Sequence, residues 1–312
     1  QLTRSSSIVT DLQTDSSKNF DNVLMLDCTS SASLGATDEL SILQLIEGYN
    51  HNPMAGKAIT LSFWVRSNLT GTYCVAFKEG SAKTYVVEYT ISSANTWEQK
   101  IITLTDDTLA NYSSNTSTTN GSSLQVNFTL RLGTTAQQTT ADAWNTGNFY
   151  GTSNQVTWGA STSDFWYIAG VQLEMGTYTS STLPPFQHES YGDNLARCER
   201  YYQVISKKRG SSYENEVMPV VQYDSSQFYG VYNFRTEMRT PPTLESASGT
   251  NYFRFYRNGA NVQFDNYLLD KSSVYSVSIY RGSVSGTGGD GGWTRWVNNA
   301  PDNSLVALTG EL

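Results

Sequence analysis

Charged side chains are scarce in this chain: only 15% of its 312 residues are Asp, Glu, Lys or Arg. The formal net charge is -8 at pH 7, and the longest basic run is Lys207-Lys208-Arg209. Nucleic acids and anionic membrane surfaces are bound by clustered Lys and Arg side chains. We therefore expect neither kind of partner.

Cysteine, histidine and long apolar runs are also rare. Cys28, Cys74 and Cys198 lie far apart without a CxxC spacing, and the chain has two histidines, so a zinc site is not expected. The three thiols are predicted to be buried and reduced. No apolar run approaches the roughly 18 residues of a membrane-spanning helix, so no membrane insertion is expected.

Alternation of apolar and polar residues dominates what remains, and it predicts an all-β protein. Leu61, Phe63 and Val65 share one face of a strand, for example, with Trp64 and Arg66 on the other. Strands are predicted over 23–28, 40–47, 58–66, 72–79, 84–92, 97–104, 124–132, 165–174, 216–223, 228–235, 252–257, 262–264, 274–280 and 305–308.

The stretch 164–203 divides the chain. A strand is followed by Pro184-Pro185 and then by a helix that Asp193 could cap. We predict an N-terminal jelly-roll β-sandwich over 1–190, a linking helix over 191–206 and a smaller C-terminal β-sandwich over 207–312. The long polar loops 106–123 and 133–155 are of a length that is usually functional or disordered.

A family resemblance starts in the same stretch. GVQLEMGTYTSSTLPPFQHESYGDNLARCERYYQ, with LSFWVRSNLTGTY and YTISSANTWEQKIITL before it and NFRTEMRTPPTL and ALTGEL after it, resembles tail-fibre and other virion structural proteins of tailed bacteriophages, especially those of marine bacteria. The resemblance covers most of the chain. It is less specific about which part of the virion is meant.

The resemblance implies a jelly roll similar to carbohydrate-binding modules, at the distal end of a homotrimeric fibre. The chain is then expected to be the C-terminal part of a longer virion protein, in the tail or another external appendage, which contacts other virion proteins and binds a bacterial cell-surface glycan. The alternative is a structural component, a head decoration fibre or tail assembly protein without receptor binding. A tailspike depolymerase is the third candidate.

Aromatic residues near the loops are the candidates for glycan contact, because flat rings stack on the apolar faces of sugars. The alternative is that these rings cap the ends of the sandwiches or are buried between subunits. The candidates are Trp144, Phe149, Tyr150, Trp158, Trp293 and Trp296.

A second candidate site is a groove on a sheet face. Trp64 and Arg66 would line it together with Gln125, Asn127 and Gln172 if their face is the concave one. Otherwise Arg66 and an aromatic ring stack to stiffen the sheet.

No catalytic residue is assigned, and the protein is expected not to be an enzyme. Glycoside hydrolysis needs two carboxylates across a groove, and Glu88 with Glu98 is the pair that adjacent strands would bring together, Glu174 and Asp164 being further candidates. No cofactor is expected. A structural calcium ion, with Asp27 and Asp164 as contributors, is left open.

Overall fold

A computed structural model describes residues 2–5, 20, 23–31, 33–80, 83–105, 121–210, 215–257 and 260–310. For residues 2–5 it describes the backbone alone. The chain divides into two compact units, Gln1–Gln187 and His188–Leu312, called the first and second unit below. Among the described residues, no helix is long and apolar enough to cross a membrane. The predicted all-β sandwich class is confirmed.

The first unit is built from two five-stranded sheets. One has the order β1-β2-β12-β4-β7 and the other the order β10-β6-β5-β8-β3, while β9 and β11 form a small parallel pair. A single-turn helix, Gly48–His51, and 3-10 turns at Asn52–Met54 and Thr134–Ala136 complete the unit. The strands are β1 (Leu2–Ser5), β2 (Val23–Asp27), β3 (Glu39–Glu47), β4 (Ile59–Ser67), β5 (Gly71–Glu79), β6 (Lys83–Ile91), β7 (Glu98–Leu104), β8 (Ser122–Leu132), β9 (Gln137–Gln138), β10 (Trp144–Thr146), β11 (Gly151–Thr152) and β12 (Phe165–Met175).

The connectivity is that of a jelly roll. From β2 to β8, successive strands cross between the sheets, except that β5 and β6 form a hairpin within one of them. The late strand β12 returns to pair with both β2 and β4, so it lies between two early strands. Without the edge strands β1 and β10, each sheet has four strands, in the order β2-β12-β4-β7 or β6-β5-β8-β3, and this interleaving is the double Greek key of a jelly roll.

The core between the sheets follows the predicted alternation on β4. Leu61, Phe63 and Val65 are almost completely buried there, and Phe63 makes edge-on ring contacts with Tyr89 and Phe128 at centroid distances of 5.2 Å. Strands of both sheets thus contribute to one apolar cluster. Burial of this cluster is the main force that holds the two layers together.

Strand β12 departs from simple alternation at a β-bulge between Ala169 and Gln172. Before the bulge, Trp166 packs in the core, while Phe165 and Tyr167 lie on the outer face. After it, Leu173 faces the core. Simple alternation along the strand would place Leu173 on the same face as Phe165 and Tyr167, but the bulge adds one residue and reverses the facing.

The second unit also consists of two antiparallel sheets around a core. A seven-stranded sheet has the order β18-β17-β21-β14-β15-β20-β19, and a three-stranded sheet has the order β13-β22-β16. Their apolar cluster includes Phe228, Phe253 and Trp296, all fully buried, together with Val306 and Leu308 of β22. The strands are β13 (Tyr202–Lys207), β14 (Glu216–Gln222), β15 (Phe228–Asn233), β16 (Thr243–Ser246), β17 (Phe253–Arg257), β18 (Ala260–Phe264), β19 (Leu268–Ser272), β20 (Ser276–Arg281), β21 (Gly291–Trp296) and β22 (Leu305–Thr309).

The helix of this unit, Tyr191–Glu199, is shorter than predicted, because residues 202–207 of the predicted 191–206 segment form β13. Its N-cap is Ser190, not Asp193. The Ser190 hydroxyl accepts a hydrogen bond from the Asp193 N–H at 3.1 Å and donates one to the Asp193 carboxylate at 2.6 Å. This reciprocal arrangement satisfies a free amide at the helix start.

The cysteines differ from the prediction at one position. Cys28 and Cys74 are buried, whereas Cys198 is exposed on this helix. All three are free thiols. Burial raises the pKa of the Cys74 thiol to about 11, so it stays protonated at neutral pH.

Candidate functional site

The six aromatic candidates lie in different environments. Trp158 and Trp296 are core residues of the first and second unit, respectively, which rules them out as ligand platforms in this conformation. Trp144 is half-buried against Tyr85, with ring centroids 5.4 Å apart. Of the six, Trp293 alone has a largely open ring, 48% exposed.

Phe149 and Tyr150 belong to a segment, 133–157, that covers the outer face of the sheet containing β5, β6 and β8. Their rings pack on Cys74, Ala76 and Val86, which are fully buried by this cover. The predicted loop 133–155 is therefore a structural layer that contains β9, β10 and β11.

Polar contacts fix this covering segment. The Thr129 hydroxyl donates to the Tyr150 carbonyl at 2.6 Å, and Lys78 Nζ donates to the Tyr150 hydroxyl at 3.3 Å. The Glu88 carboxylate accepts hydrogen bonds from Thr152 and, at 3.0 Å, from Asn154 Nδ2. Glu88 thus holds the cover in place.

The predicted sheet-face groove is not formed. Trp64, Arg66 and Gln172 lie on the outer face of the β12-β4 sheet, whereas Gln125 and Asn127 lie on the outer face of the opposite sheet. The core of the sandwich separates the two groups, so they cannot line one groove. The structural alternative for Arg66 is favoured, since its guanidinium lies 6.0 Å from the centroid of the Phe165 ring.

Glu88 and Glu98 are likewise separated, because β6 and β7 belong to different sheets. Glu98 accepts hydrogen bonds from the Ser92 and Ser93 amides and forms an ion pair with Lys100 at 2.6 Å. Burial raises the pKa of Glu98, but the hydrogen bonds from Lys100 and the amides outweigh it and leave the pKa below its usual value. The expectation that adjacent strands would pair these carboxylates is wrong.

The other acidic candidates have local partners. The Asp164 carboxylate accepts from the Gly159 and Ser161 amides at 2.9 and 3.1 Å, and Asp27 accepts from the Tyr167 hydroxyl at 2.9 Å. Glu174 accepts from Gln172 Nε2 at 2.9 Å. Within the described ranges, no group of three or more His, Cys, Asp or Glu side chains is placed to hold a metal ion.

One surface of the second unit stands out as a candidate binding site. Among the residues that the structure describes, the outer face of its seven-stranded sheet exposes apolar and aromatic side chains, including Val231 at 61% exposure; Tyr223, directly after β14, is 71% exposed. We call this surface the aromatic face. Its members are Pro219, Val221, Tyr223, Tyr229, Val231, Tyr256, Leu268, Tyr280 and Trp293.

Strand register aligns these side chains in two rows that meet on β14. In one row Trp293 lies between Tyr256 and Pro219 on the neighbouring strands. In the other, Tyr229 lies between Val221 and Tyr280. The Tyr229 and Tyr280 rings are stacked, with centroids 5.5 Å apart and planes inclined by 17°. Directly opposed residues on adjacent strands are close enough to form a continuous surface.

Two arginines border the first row. Arg254 and Arg295 are cross-strand partners on β17 and β21. The Arg295 guanidinium lies 4.5 Å from the Tyr256 ring centroid and 5.7 Å from that of Trp293, and Arg254 lies 5.8 Å from Tyr256. Arg254 Nη1 also donates a hydrogen bond to the Tyr256 hydroxyl at 3.3 Å, and Arg295 Nη2 forms an ion pair with Glu216 at 3.1 Å. A guanidinium stacked on an aromatic ring directs its N–H groups along the plane of that ring.

Of the aromatic face, the sequence-based candidates included only Trp293. A signal was present: Pro219 and Val221 alternate with Met218 and Val220, so the middle of β14 is apolar on both faces. A strand that is apolar on both faces packs one face in the core of its unit. The other face is then expected to be covered by another segment or to bind a partner.

Comparisons with known proteins add little. No protein-family model matches the chain, and no curated protein matches it significantly. Among solved structures, oxalate decarboxylase from Bacillus subtilis at pH 4.6 aligns over 91% of this chain and 74% of its own, with 8% identity and a TM-score of 0.15. A second structure of oxalate decarboxylase aligns over 91% and 75%, also with 8% identity and a TM-score of 0.15. At these scores the likeness carries no argument about fold or function.

Proposed function

We propose that this protein is the distal part of a tailed-phage fibre, an adhesin that binds a bacterial surface glycan through the aromatic face. The half-exposed Trp293 ring, flanked by Tyr256 and Arg295, is the observation that carries the binding proposal. Flat rings bind the apolar faces of sugars, while tyrosine hydroxyls and guanidinium N–H groups bind sugar hydroxyls.

The virion assignment is supported by the family resemblance of the stretch 170–203 and of the segments before and after it. The proposal includes assembly as a homotrimer with other virion proteins, as that resemblance implies. A binding protein, not a hydrolase, is favoured because Glu88 and Glu98 lie in separate sheets and each has local hydrogen-bond partners.

A glycan array probed with the full chain tests the proposal. We expect the wild-type protein to bind a set of bacterial surface glycans, and Trp293→Ala to lose that binding by at least about tenfold, because a central aromatic contact is worth about 2 kcal/mol. Tyr49→Ala is the matched control, since Tyr49 is a 60%-exposed ring of the first unit. Absence of binding to any glycan and to host cells would refute the adhesin proposal.

A structural virion component is the second candidate, and the aliphatic members of the aromatic face favour it. Val221, Val231 and Leu268 are exposed but offer sugars no hydrogen bonds. A protein partner that buried them would gain binding free energy from the hydrophobic effect. Under this alternative, the chain binds another virion protein and no glycan, and Val231→Asp blocks assembly. Electron microscopy of the particle, with the chain labelled, distinguishes a fibre tip from an internal joint.

A further inference from the structure

The part of the aromatic face around Trp293 carries two arginines, whereas Asp224 and Asp270 lie near Tyr229 on its other side. The chain carries a formal charge of -8, yet Arg254 and Arg295 are directly opposed on neighbouring strands. Like charges opposed across a sheet are destabilising by themselves. Stacking on Tyr256 and Trp293 offsets part of this cost and fixes both guanidiniums beside the exposed rings.

The ion pair between Arg295 and Glu216 lies at the surface, where a ligand anion could replace the Glu216 carboxylate. Arg295 Nη2 contacts Glu216 Oε1 at 3.1 Å, and the Glu216 side chain is 63% exposed. An ion pair at the solvent surface contributes little to stability. A ligand carboxylate can therefore take the place of Glu216 at small cost and gain hydrogen bonds from Arg295.

Space for a ligand lies next to the rings. Gly291 is two residues before Trp293 on the same face of β21 and pairs with Val221 on β14. A Cβ built at Gly291 meets no atom within 4 Å, so the surface is open there. A sugar ring on Trp293 can extend over this position towards Val221 without a clash.

We propose that the ligand of the aromatic face is an acidic saccharide, with a sugar ring stacked on Trp293 and its anionic group bound by Arg295, next to the positive charge of Arg254. This inference rests on the proposed glycan-binding function and adds the chemical class of the glycan. Guanidinium groups match planar carboxylates and also bind phosphate and sulfate esters, so the shared chemistry is an anionic substituent on a sugar.

The test compares matched saccharides on the full-length protein. A uronic-acid-containing oligosaccharide and its carboxyl-reduced, neutral counterpart are titrated, with phosphorylated and sulfated oligosaccharides as further arms. We expect at least one acidic saccharide to bind about 10-fold or more tightly than its neutral counterpart, because hydrogen bonds to charged groups are the stronger ones. The preference should weaken as salt is raised.

Variants separate the contributions. Arg295→Gln and Gly291→Asp are expected to remove the acidic preference, the first by deleting a donor and the second by adding a negative charge in open space. Arg197→Gln is the control, since Arg197 is a 73%-exposed arginine on the helix of the same unit. Equal or tighter binding of the neutral saccharide overturns this inference and leaves the adhesin proposal standing, whereas failure to bind any saccharide overturns both.

Discussion

At the residue scale, burial sets the protonation of His51. Its side chain is completely buried at the end of the single-turn helix, with Nδ1 2.6 Å from the Ser123 hydroxyl at the start of β8. Burial lowers the pKa of His51 to about 4, because a charged imidazolium would lose its hydration. His51 therefore serves the structure of the first unit in its neutral form.

This pKa predicts acid sensitivity. The folded-state pKa lies below the unfolded value of 6.5, so the unfolded chain binds the proton more readily between pH 6.5 and pH 4. The stability contributed by neutral His51 is complete above pH 6.5 and falls as the pH is lowered towards 4, by at most about 3 kcal/mol. Urea unfolding at pH 7 and pH 4.5 should show a smaller loss of stability for His51→Gln than for wild type. Equal losses would mean that another group causes the acid sensitivity.

Single residues also explain why ring type did not identify the binding site. Trp158, Trp293 and Trp296 have the same chemistry in the sequence, yet two of them are core residues and one is half-exposed. Their positions follow from strand register, which one sequence does not specify across long sequence separations. Trp293 and Trp296, three residues apart on one strand, point to opposite faces of their sheet.

At the element scale, the bulge in β12 depends on Gly170. Gly170 has a φ of +56°, and a Cβ there would clash with the ring of Phe20. The Phe20 ring in turn makes an edge-on contact with Phe186 at 5.0 Å, in the cluster on the outer face of this sheet. The bulge and the outer cluster therefore support each other.

Gly170→Ala is expected to destabilise the protein more than Gly56→Ala. Both glycines have positive φ, +56° and +69°, so both alanines carry about 1 kcal/mol or more of backbone strain. Gly56 has open space around it, whereas Gly170 faces Phe20, so the difference in urea midpoint measures the ring contact. Equal midpoints would show that the Phe20 ring moves away without cost.

Strand β21 offers a second comparison within one element. Trp296→Ala removes a fully buried ring whose centroid lies 4.4 Å from that of the Phe253 ring, and it leaves a cavity. The substitution should therefore lower the free energy of unfolding by about 3–5 kcal/mol. Trp293→Ala should change stability far less, because its ring is half-exposed. Thermal unfolding of both variants checks this. A large loss of stability in Trp293→Ala would show that the ring is a structural support and would weaken its use as a binding probe.

Elements with clean alternation were predictable. The predicted strands 40–47, 58–66 and 124–132 match β3, β4 and β8 to within two residues, and the facing of Leu61 and Phe63 is correct. Strand β21 was not among the predicted strands, and it begins with two glycines, Gly291 and Gly292. Glycine-rich strands lack the side chains on which alternation depends, so their existence is set by pairing with neighbours.

At the scale of the whole molecule, the pairing order of strands and the covering layers lay beyond the sequence. The class of two β-sandwiches could be predicted, because many short strands without intervening helices have few other ways to bury their faces. The prediction of a sheet-face groove was wrong because β4 and β8 belong to opposite sheets. The prediction for the loop 133–155 was wrong for another reason. Phe149 and Tyr150 pack on the small residues Cys74 and Ala76, which are distant in sequence.

The two units differ in how far their outer sheet faces are covered among the described residues. In the first unit, the outer face of the β5-β8 sheet is covered by residues 133–157, and part of the other outer face is covered by the cluster around Phe20 and Tyr167. In the second unit, the aromatic face remains open. The first unit, although it is a jelly roll, therefore offers fewer exposed rings for a ligand than the second.

A binding isotherm of the full chain on purified host surface polysaccharide, measured for wild type, Trp293→Ala and Tyr49→Ala, tests the central claim most directly. We predict saturable binding by wild type and Tyr49→Ala, and an affinity at least about tenfold lower for Trp293→Ala, because the proposed site depends on stacking against the half-exposed indole of Trp293. Binding by Trp293→Ala with wild-type affinity, or no binding by wild type, would contradict the claim.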